Sequence, residues 1–348
     1  MTRYNAIVTK YSKNVKISPS FTTLAETLAQ LSVKPRVQFK SNNPYYTMWK
    51  TDSNANTDYV YFYNKGAASI AEVIVDFKQK RHPFVADAWT GTYSPLVEFS
   101  RQGKSIAMQV KLAAGASTII AFSQRAILDS QLSPEPSVVN SDANIVGYKC
   151  DKNAISAKAI GPATLTLSNG RVVSVNGSIR ASSSLTKWNI TIEDWHPTAN
   201  LSSMTTEVTN HTFLNSPLQS WLDYKLVNTS GIGHYSTTFD MTSNNAMLSL
   251  GPIQNTVKAF VNDRELPPVN LFDAVIDISS HTKIGTNSLR VEIATTLFNA
   301  VKSRGSSIAT AGAPAAVANP RLLETVPSVS YGLEGPVVVT PYKIVRIV

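Results

Sequence analysis

The sequence has 348 residues, of which 43% are hydrophobic and 16% charged, and its formal net charge is +9. This length allows about two or three domains that each bury a core, and the absence of an apolar run of about 18 residues argues against a transmembrane helix. Lysines and arginines are scattered and no nucleic-acid-binding motif accompanies them, so we expect a solvated basic surface and no nucleic acid or membrane partner.

The first part of the chain predicts one helix and a small β module. In residues 20–31, Leu24, Leu28 and Leu31 recur at helical spacing. We interpret residues 1–44 as the helical remnant of a preceding catalytic domain. Alternation of large side chains then predicts strands, which together form a module over 45–128: residues 45–48, 58–64, 69–77, 96–99, 105–112 and 118–122.

The second part of the chain predicts a larger antiparallel structure. Residues 129–160 open on a Pro- and Ser-rich stretch and are expected to be a linker or crossing segment. Short strands separated by turn signals every 8–12 residues or so then predict a β-sandwich of the jelly-roll type over 161–348. The predicted strands of this part include 163–167, 171–175, 188–195, 234–239, 257–261, 275–278 and 288–294. The predicted fold class is therefore all-β.

Four motifs of the second part carry a family resemblance. They are Gly231-Ile-Gly-x-Tyr235, Leu250-Gly-Pro252, Val261-Asn-x-x-x-Leu-Pro-Pro268 and Asn287-x-Leu-x-Val-x-x-Ala-Thr-Thr-Leu-x-Asn299. This pattern resembles the C-terminal galactose-binding-like sandwich of fungal glycoside hydrolases similar to family 106, the alpha-L-rhamnosidase type. Residues 20–123 resemble the region between the catalytic barrel and that sandwich, and residues 330–342 resemble the end of the same proteins.

The resemblance implies a carbohydrate-binding or bracing accessory part of a rhamnosidase-like hydrolase. The family's catalytic carboxylates lie in the barrel, upstream of the matched region, so no catalytic residue is assigned. Hydrolysis of an O-glycosyl bond would be the reaction of the whole enzyme, and oligosaccharides or polysaccharides, rhamnose-containing ones included, would be the partners. Two alternatives stay open: a stand-alone carbohydrate-binding or structural sandwich, and an enzyme of small-molecule metabolism that retains this fold.

Five N-glycosylation sequons crowd into about fifty residues, which favours an ancestor of the secretory route. They begin at Asn176, Asn189, Asn200, Asn210 and Asn228. The family resemblance also implies secretion, yet the first residues lack the basic and apolar regions of a signal peptide. We therefore expect a partial product that lacks a signal peptide and a catalytic barrel.

Four residues are candidates for carbohydrate contact. Trp221 and Asp223 would share a face if extended, and an aromatic platform with a carboxylate acceptor suits sugar hydroxyls, although a core position for Trp221 is the alternative. Asp194 and Trp195 lie in Glu193-Asp194-Trp195-His196. Adjacent strand residues point to opposite faces, so Glu193 and Asp194 are not expected to form the carboxylate pair of a glycosidase.

No metal site or cofactor is expected. Cys150 stands alone, and the five histidines have no metal-ligand spacing, while a carbonyl-rich Ca²⁺ site stays open. No glycine-rich nucleotide-binding motif occurs.

Overall fold

A computed structural model describes residues 2–151, 154–175, 181–200, 203, 205–310 and 320–348. Strands make up 46% of the chain and helices 10%, so the prediction of an all-β fold is confirmed. Within these described ranges the strands form six antiparallel sheets, which pair into three sandwiches along the chain.

The region before the first sandwich is helical. Helix α1 spans Thr2–Lys10, and a 3₁₀ turn at Phe21–Thr23 leads into α2, Leu24–Gln30. The latter two elements fall where the leucine spacing predicts a helix, whereas α1 has no such signal. Leu24 and Leu28 remain more than a third exposed, so the apolar stripe of α2 is not buried within the described part of the chain.

The first sandwich consists of nine strands between residues 37 and 123. They are β1 Val37–Phe39, β2 Tyr45–Asp52, β3 Thr57–Asn64, β4 Ser69–Val75, β5 His82–Asp87, β6 Thr92–Pro95, β7 Ser100–Gln102, β8 Ser105–Leu112 and β9 Ser117–Ser123. One sheet has the order β1-β4-β8-β7 and the other β2-β3-β9-β5-β6. Alternation places Val60 and Phe62 in the core between the sheets, because successive side chains of a strand point to opposite faces.

The second sandwich contains two three-stranded sheets. Its strands are β10 Val138–Ser141, β11 Ile145–Asp151, β12 Ala154–Ala159, β13 Ala163–Leu167, β14 Val172–Val175 and, from the far end of the chain, β25 Lys343–Arg346. The orders are β10-β13-β14 and β11-β12-β25, and one core joins the two sheets. This arrangement differs from the expected boundaries, since β10 to β12 lie in the segment 129–160 that we interpret from sequence as a linker.

The third sandwich fills residues 183–341. Its strands are β15 Ser183–Ser184, β16 Trp188–Pro197, β17 Thr206–Ser216, β18 Ile232–Met241, β19 Ala246–Ser249, β20 Thr256–Val261, β21 Arg264–Glu265, β22 Val275–Asp277, β23 Gly285–Ala294 and β24 Val338–Pro341. A four-stranded sheet, β15-β24-β19-β22, packs on a six-stranded sheet, β17-β16-β18-β23-β20-β21. Helices α3 Phe298–Lys302 and α4 Gly305–Thr310 and a 3₁₀ turn, Pro320–Thr325, lie between β23 and β24.

Candidate functional site

Trp221 occupies the core of the third sandwich. Its side chain is 1% exposed, its ring meets that of Tyr331 edge-on at 5.9 Å, and its Nε1 donates to Tyr235 Oη at 2.7 Å. The backbone of Gly332, at φ +111°, comes so close that a Cβ there would lie 2.6 Å from the indole. The structure therefore selects the core position for Trp221, while Asp223 lies exposed on the turn that follows.

Glu193 and Asp194 diverge, as the strand geometry of the sequence predicts. Both lie on β16, where Ile190 and Ile192 face the core. Asp194 is two residues beyond Ile192, so its side chain lies on the same face of the strand as these isoleucines. Its Oδ2 is 3.6 Å from His211 Nε2 on β17. Glu193 and Trp195 point to the opposite, outer face of the six-stranded sheet. The two adjacent carboxylates therefore do not converge on one bond.

The outer face of that sheet carries a group of five side chains from three neighbouring strands, which we call the His234 cluster. Its members are Glu193 and Trp195 of β16, His234 of β18, and Arg290 and Glu292 of β23. Register explains the assembly, because His234 lies opposite Thr191 on one side and opposite Glu292 on the other. All four charged or titratable side chains remain a quarter or more exposed, so the cluster is accessible from solvent.

Hydrogen bonds connect the members of the cluster. His234 Nε2 lies 3.0 Å from Glu193 Oε1, and Trp195 Nε1 donates to Glu193 Oε2 at 2.8 Å. On the other side, His234 Nδ1 is 3.8 Å from Glu292 Oε1, which also pairs with Arg290. The guanidinium carbon of Arg290 lies 3.8 Å from the centre of the Phe260 ring on β20, a cation–π contact.

Electrostatics decides which chemistry the cluster can perform. Partial burial acts to raise the pKa of Glu193, but the hydrogen bonds from His234 and Trp195 outweigh it and lower the pKa. The carboxylate is therefore ionised at neutral pH, with both oxygens already accepting hydrogen bonds. Such a group suits neither a general acid, which requires a raised pKa, nor a free nucleophile. The cluster offers fixed donors and acceptors beside an indole ring, which is chemistry for binding a hydroxyl-bearing ligand.

Sequence reasoning found only part of this cluster. It singled out Trp195 and weighed Glu193. His234, however, is 41 residues from Glu193 in the chain, and β23 is farther still. Alternation along β18 and β23 indicates which of their side chains point outward. It does not indicate that β16, β18 and β23 are neighbours, because strand order depends on long-range pairing.

The sequon asparagines of the described region are exposed. Asn189 lies in β16 and Asn210 in β17, whereas Asn200 and Asn228 lie in connections. Asn176 falls outside the described residues. Glycosylation itself stays a prediction for all five.

Among the residues that the structure describes, no group of three or more His, Cys, Asp or Glu side chains is placed to hold a metal ion. None of the described helices has the length and apolar character needed to cross a membrane.

The fold is similar to part of a rhamnosidase. The rhamnosidase from Novosphingobium sp. PP1Y superposes on 97% of this chain with a TM-score of 0.61 and 16% sequence identity, and the match spans 29% of that enzyme. Alpha-L-rhamnosidases from Dictyoglumus thermophilum and, complexed with L-rhamnose, from Streptomyces avermitilis match 66% and 74% of this chain, and 23% of each enzyme, at 11% and 12% identity. Their TM-scores of 0.20 and 0.15 are too low to bear on the fold. No protein-family model and no curated protein matches the sequence.

Proposed function

We propose that this chain is a non-catalytic, carbohydrate-contacting part of a rhamnosidase-like glycoside hydrolase. The observation that carries the proposal is the superposition of nearly the whole chain, all three sandwiches included, on less than a third of the Novosphingobium enzyme. The finer assignment, to the galactose-binding-like region of fungal proteins similar to family 106, rests on the motifs between Gly231 and Asn299 and belongs to the same proposal.

The proposed role is an accessory one because the adjacent carboxylates Glu193 and Asp194 are not placed to act as a catalytic pair. A glycosidase requires two carboxyl groups on opposite sides of one bond, one of them with a raised pKa. Glu193 has a lowered pKa and bonded oxygens, and Asp194 lies on the other face of β16. The barrel that would supply catalysis in the family has no counterpart among these sheets.

We place the carbohydrate contact at the His234 cluster. Trp195 supplies a half-buried ring, and Glu292 and Arg290 supply an acceptor and donors that are 27% and 39% exposed. Aromatic rings with adjacent hydrogen-bonding groups suit the apolar faces and hydroxyl edges of a sugar. Asp194 lies on the opposite face of β16 and is not part of this site, and Asp223 is an exposed acceptor on its own turn.

The first test is calorimetric titration of the chain with an α-linked L-rhamnose tetrasaccharide, together with an assay of p-nitrophenyl α-L-rhamnopyranoside. We expect binding, a loss of about tenfold in affinity in Glu292→Gln, and no hydrolysis above buffer. Glu265→Gln is the matched control, since Glu265 is an exposed carboxylate of the same sheet and should leave affinity unchanged. Turnover abolished by a single Glu or Asp substitution would overturn the accessory role.

A further inference from the structure

The five-stranded sheet of the first sandwich has an aromatic outer face. Alternation along β3 directs Val60 and Phe62 inward and leaves three tyrosines half-buried on the outside, and β2 adds further large side chains in register. The pairs across β2 and β3 on this face are Tyr46 with Tyr63, Met48 with Tyr61, and Lys50 with Tyr59. The solvent-facing side of an antiparallel sheet is ordinarily polar. A row of partly exposed aromatic rings there is therefore typical of an interaction surface.

This face forms a cleft of about 650 Å³, which we call the Tyr61 cleft. Tyr59, Tyr61, Met48 and Ile119 provide its apolar surface, and Lys50, Asp52 and Asn54 lie at one end. Its volume lies within the range of about 300–1,000 Å³ that is usual for small-molecule sites. The cleft therefore combines aromatic ring faces with a cationic, an anionic and an amide side chain.

Contacts on the same sheet face hold the aromatic side chains in place. Beside the cleft, Tyr46 stacks on Tyr63 at 6.5 Å with the rings 6° from parallel, and Lys65 Nζ donates to Tyr46 Oη at 2.7 Å. Burial, together with a hydrogen bond to Tyr93, raises the pKa of Tyr59 to about 12, so its hydroxyl stays protonated.

The rim at the end of the cleft is held by the turn after β2. There Asp52 Oδ1 accepts the backbone N–H of Asn54 at 2.9 Å and that of Ala55 at 3.1 Å. A rim held this way loses little conformational freedom on binding, which lowers the entropic cost of complex formation.

We propose that the Tyr61 cleft is a second saccharide-binding site, for a neutral oligosaccharide whose ring faces lie on Tyr59 and Tyr61. The ligand class rests on the proposed function, whereas the location does not, because the cleft belongs to the first sandwich and the His234 cluster to the third. A pyranose ring has apolar C–H faces and hydroxyl edges. Tyrosine rings match the faces, and Lys50, Asp52 and Asn54 match the edges.

The lining of the cleft argues for a saccharide rather than a protein partner. Stable protein interfaces bury about 800 Å² on each side around a packed apolar centre. Here the large apolar side chains of the lining are those of Met48, Tyr59, Tyr61 and Ile119, and charged and amide side chains adjoin them at one end. The mixed signs of Lys50 and Asp52 favour a ligand without net charge.

The test titrates the α-linked L-rhamnose tetrasaccharide into the wild type and four variants by calorimetry, with a melting curve for each variant. Tyr61→Ala should weaken one of two binding events about tenfold and leave the event that Glu292→Gln weakens unchanged, whereas Tyr61→Phe, which keeps the ring, should retain both. Met48→Ala, at a position 63% exposed, should weaken binding without affecting folding. Ile70→Ala is the matched control, an aliphatic residue 55% exposed on β4 of the opposite sheet, and should bind as the wild type does.

The outcomes separate the two proposals. Wild-type affinity in both Tyr61→Ala and Met48→Ala would overturn the Tyr61 cleft, and the proposed function would survive if Glu292→Gln still weakened binding. Absence of saccharide binding by the wild type would overturn both. Sedimentation velocity that showed a dimer dissolved by Met48→Ala would also overturn the saccharide assignment, because a second copy of the chain would then cover the face.

Discussion

Trp221 is the single side chain on which the third sandwich depends most clearly, since it fills the space between Tyr235, Tyr331 and two glycines. We expect Trp221→Ala to lower the free energy of unfolding by about 3–5 kcal/mol, the usual cost of emptying a buried aromatic site. Denaturant titration measures this loss, and Asp223→Ala, on the exposed turn, should change the value by less than about 0.5 kcal/mol. An unchanged melting temperature with lost saccharide affinity in Trp221→Ala would contradict the core position.

Residue patterns in the sequence predict only part of the candidate site. A tryptophan beside a carboxylate looks the same in sequence whether it faces solvent, as Trp195 partly does, or the core, as Trp221 does. Alternation did separate Glu193 from Asp194, because it follows from the geometry of a single strand. The partners His234 and Glu292 could not be found that way, since their contacts depend on which strands pair.

At the scale of elements, alternation of large and small side chains predicted the strands that show it clearly. Strands without clear alternation were not predicted. Strand β8, Ser105–Leu112, and strand β23, Gly285–Ala294, lie where alternation predicts them. In β11, Ile145–Asp151, most positions are half-buried, so no clear period distinguishes it from a linker. Its neighbour β12 pairs with β25 near the end of the sequence, and no local pattern reveals so distant a partner.

The chain end therefore stabilises an element near the middle of the sequence. Ile347 is 1% exposed, lies in the core of the second sandwich, and donates its backbone N–H to Ile155 O at 2.8 Å. We expect Ile347→Ala to destabilise that sandwich by about 2–5 kcal/mol, with faster amide exchange in β11 and β12. Ile344→Ala, on β25 but 44% exposed, is the matched control. Equal exchange in the two variants would mean that the terminal strand does not hold the sandwich together.

At the scale of the molecule, an ion pair joins the second and third sandwiches. Lys158 Nζ of β12 lies 2.6 Å from Asp277 Oδ2 of β22, and the same oxygen accepts the hydroxyl of Tyr342 at 2.8 Å. Burial alone would raise the pKa of Asp277. The bonds from Lys158, Ser279 and Tyr342 outweigh burial and hold the pKa below its ordinary value of 3.8.

The sign of the resulting pH dependence follows from linkage. A carboxyl whose pKa is lower in the folded state stabilises the fold above its unfolded pKa and loses that contribution as the pH falls through the folded value. We expect Asp277→Asn to cost about 1–3 kcal/mol at pH 7 and progressively less below about pH 4, as measured by urea unfolding at both pH values. Asp151→Asn, which breaks the exposed pair with Lys149, should cost less than about 1 kcal/mol. If Asp277→Asn lost as much stability at pH 3 as at pH 7, the carboxylate charge would not be what joins the two sandwiches, and packing around Tyr342 would have to hold them instead.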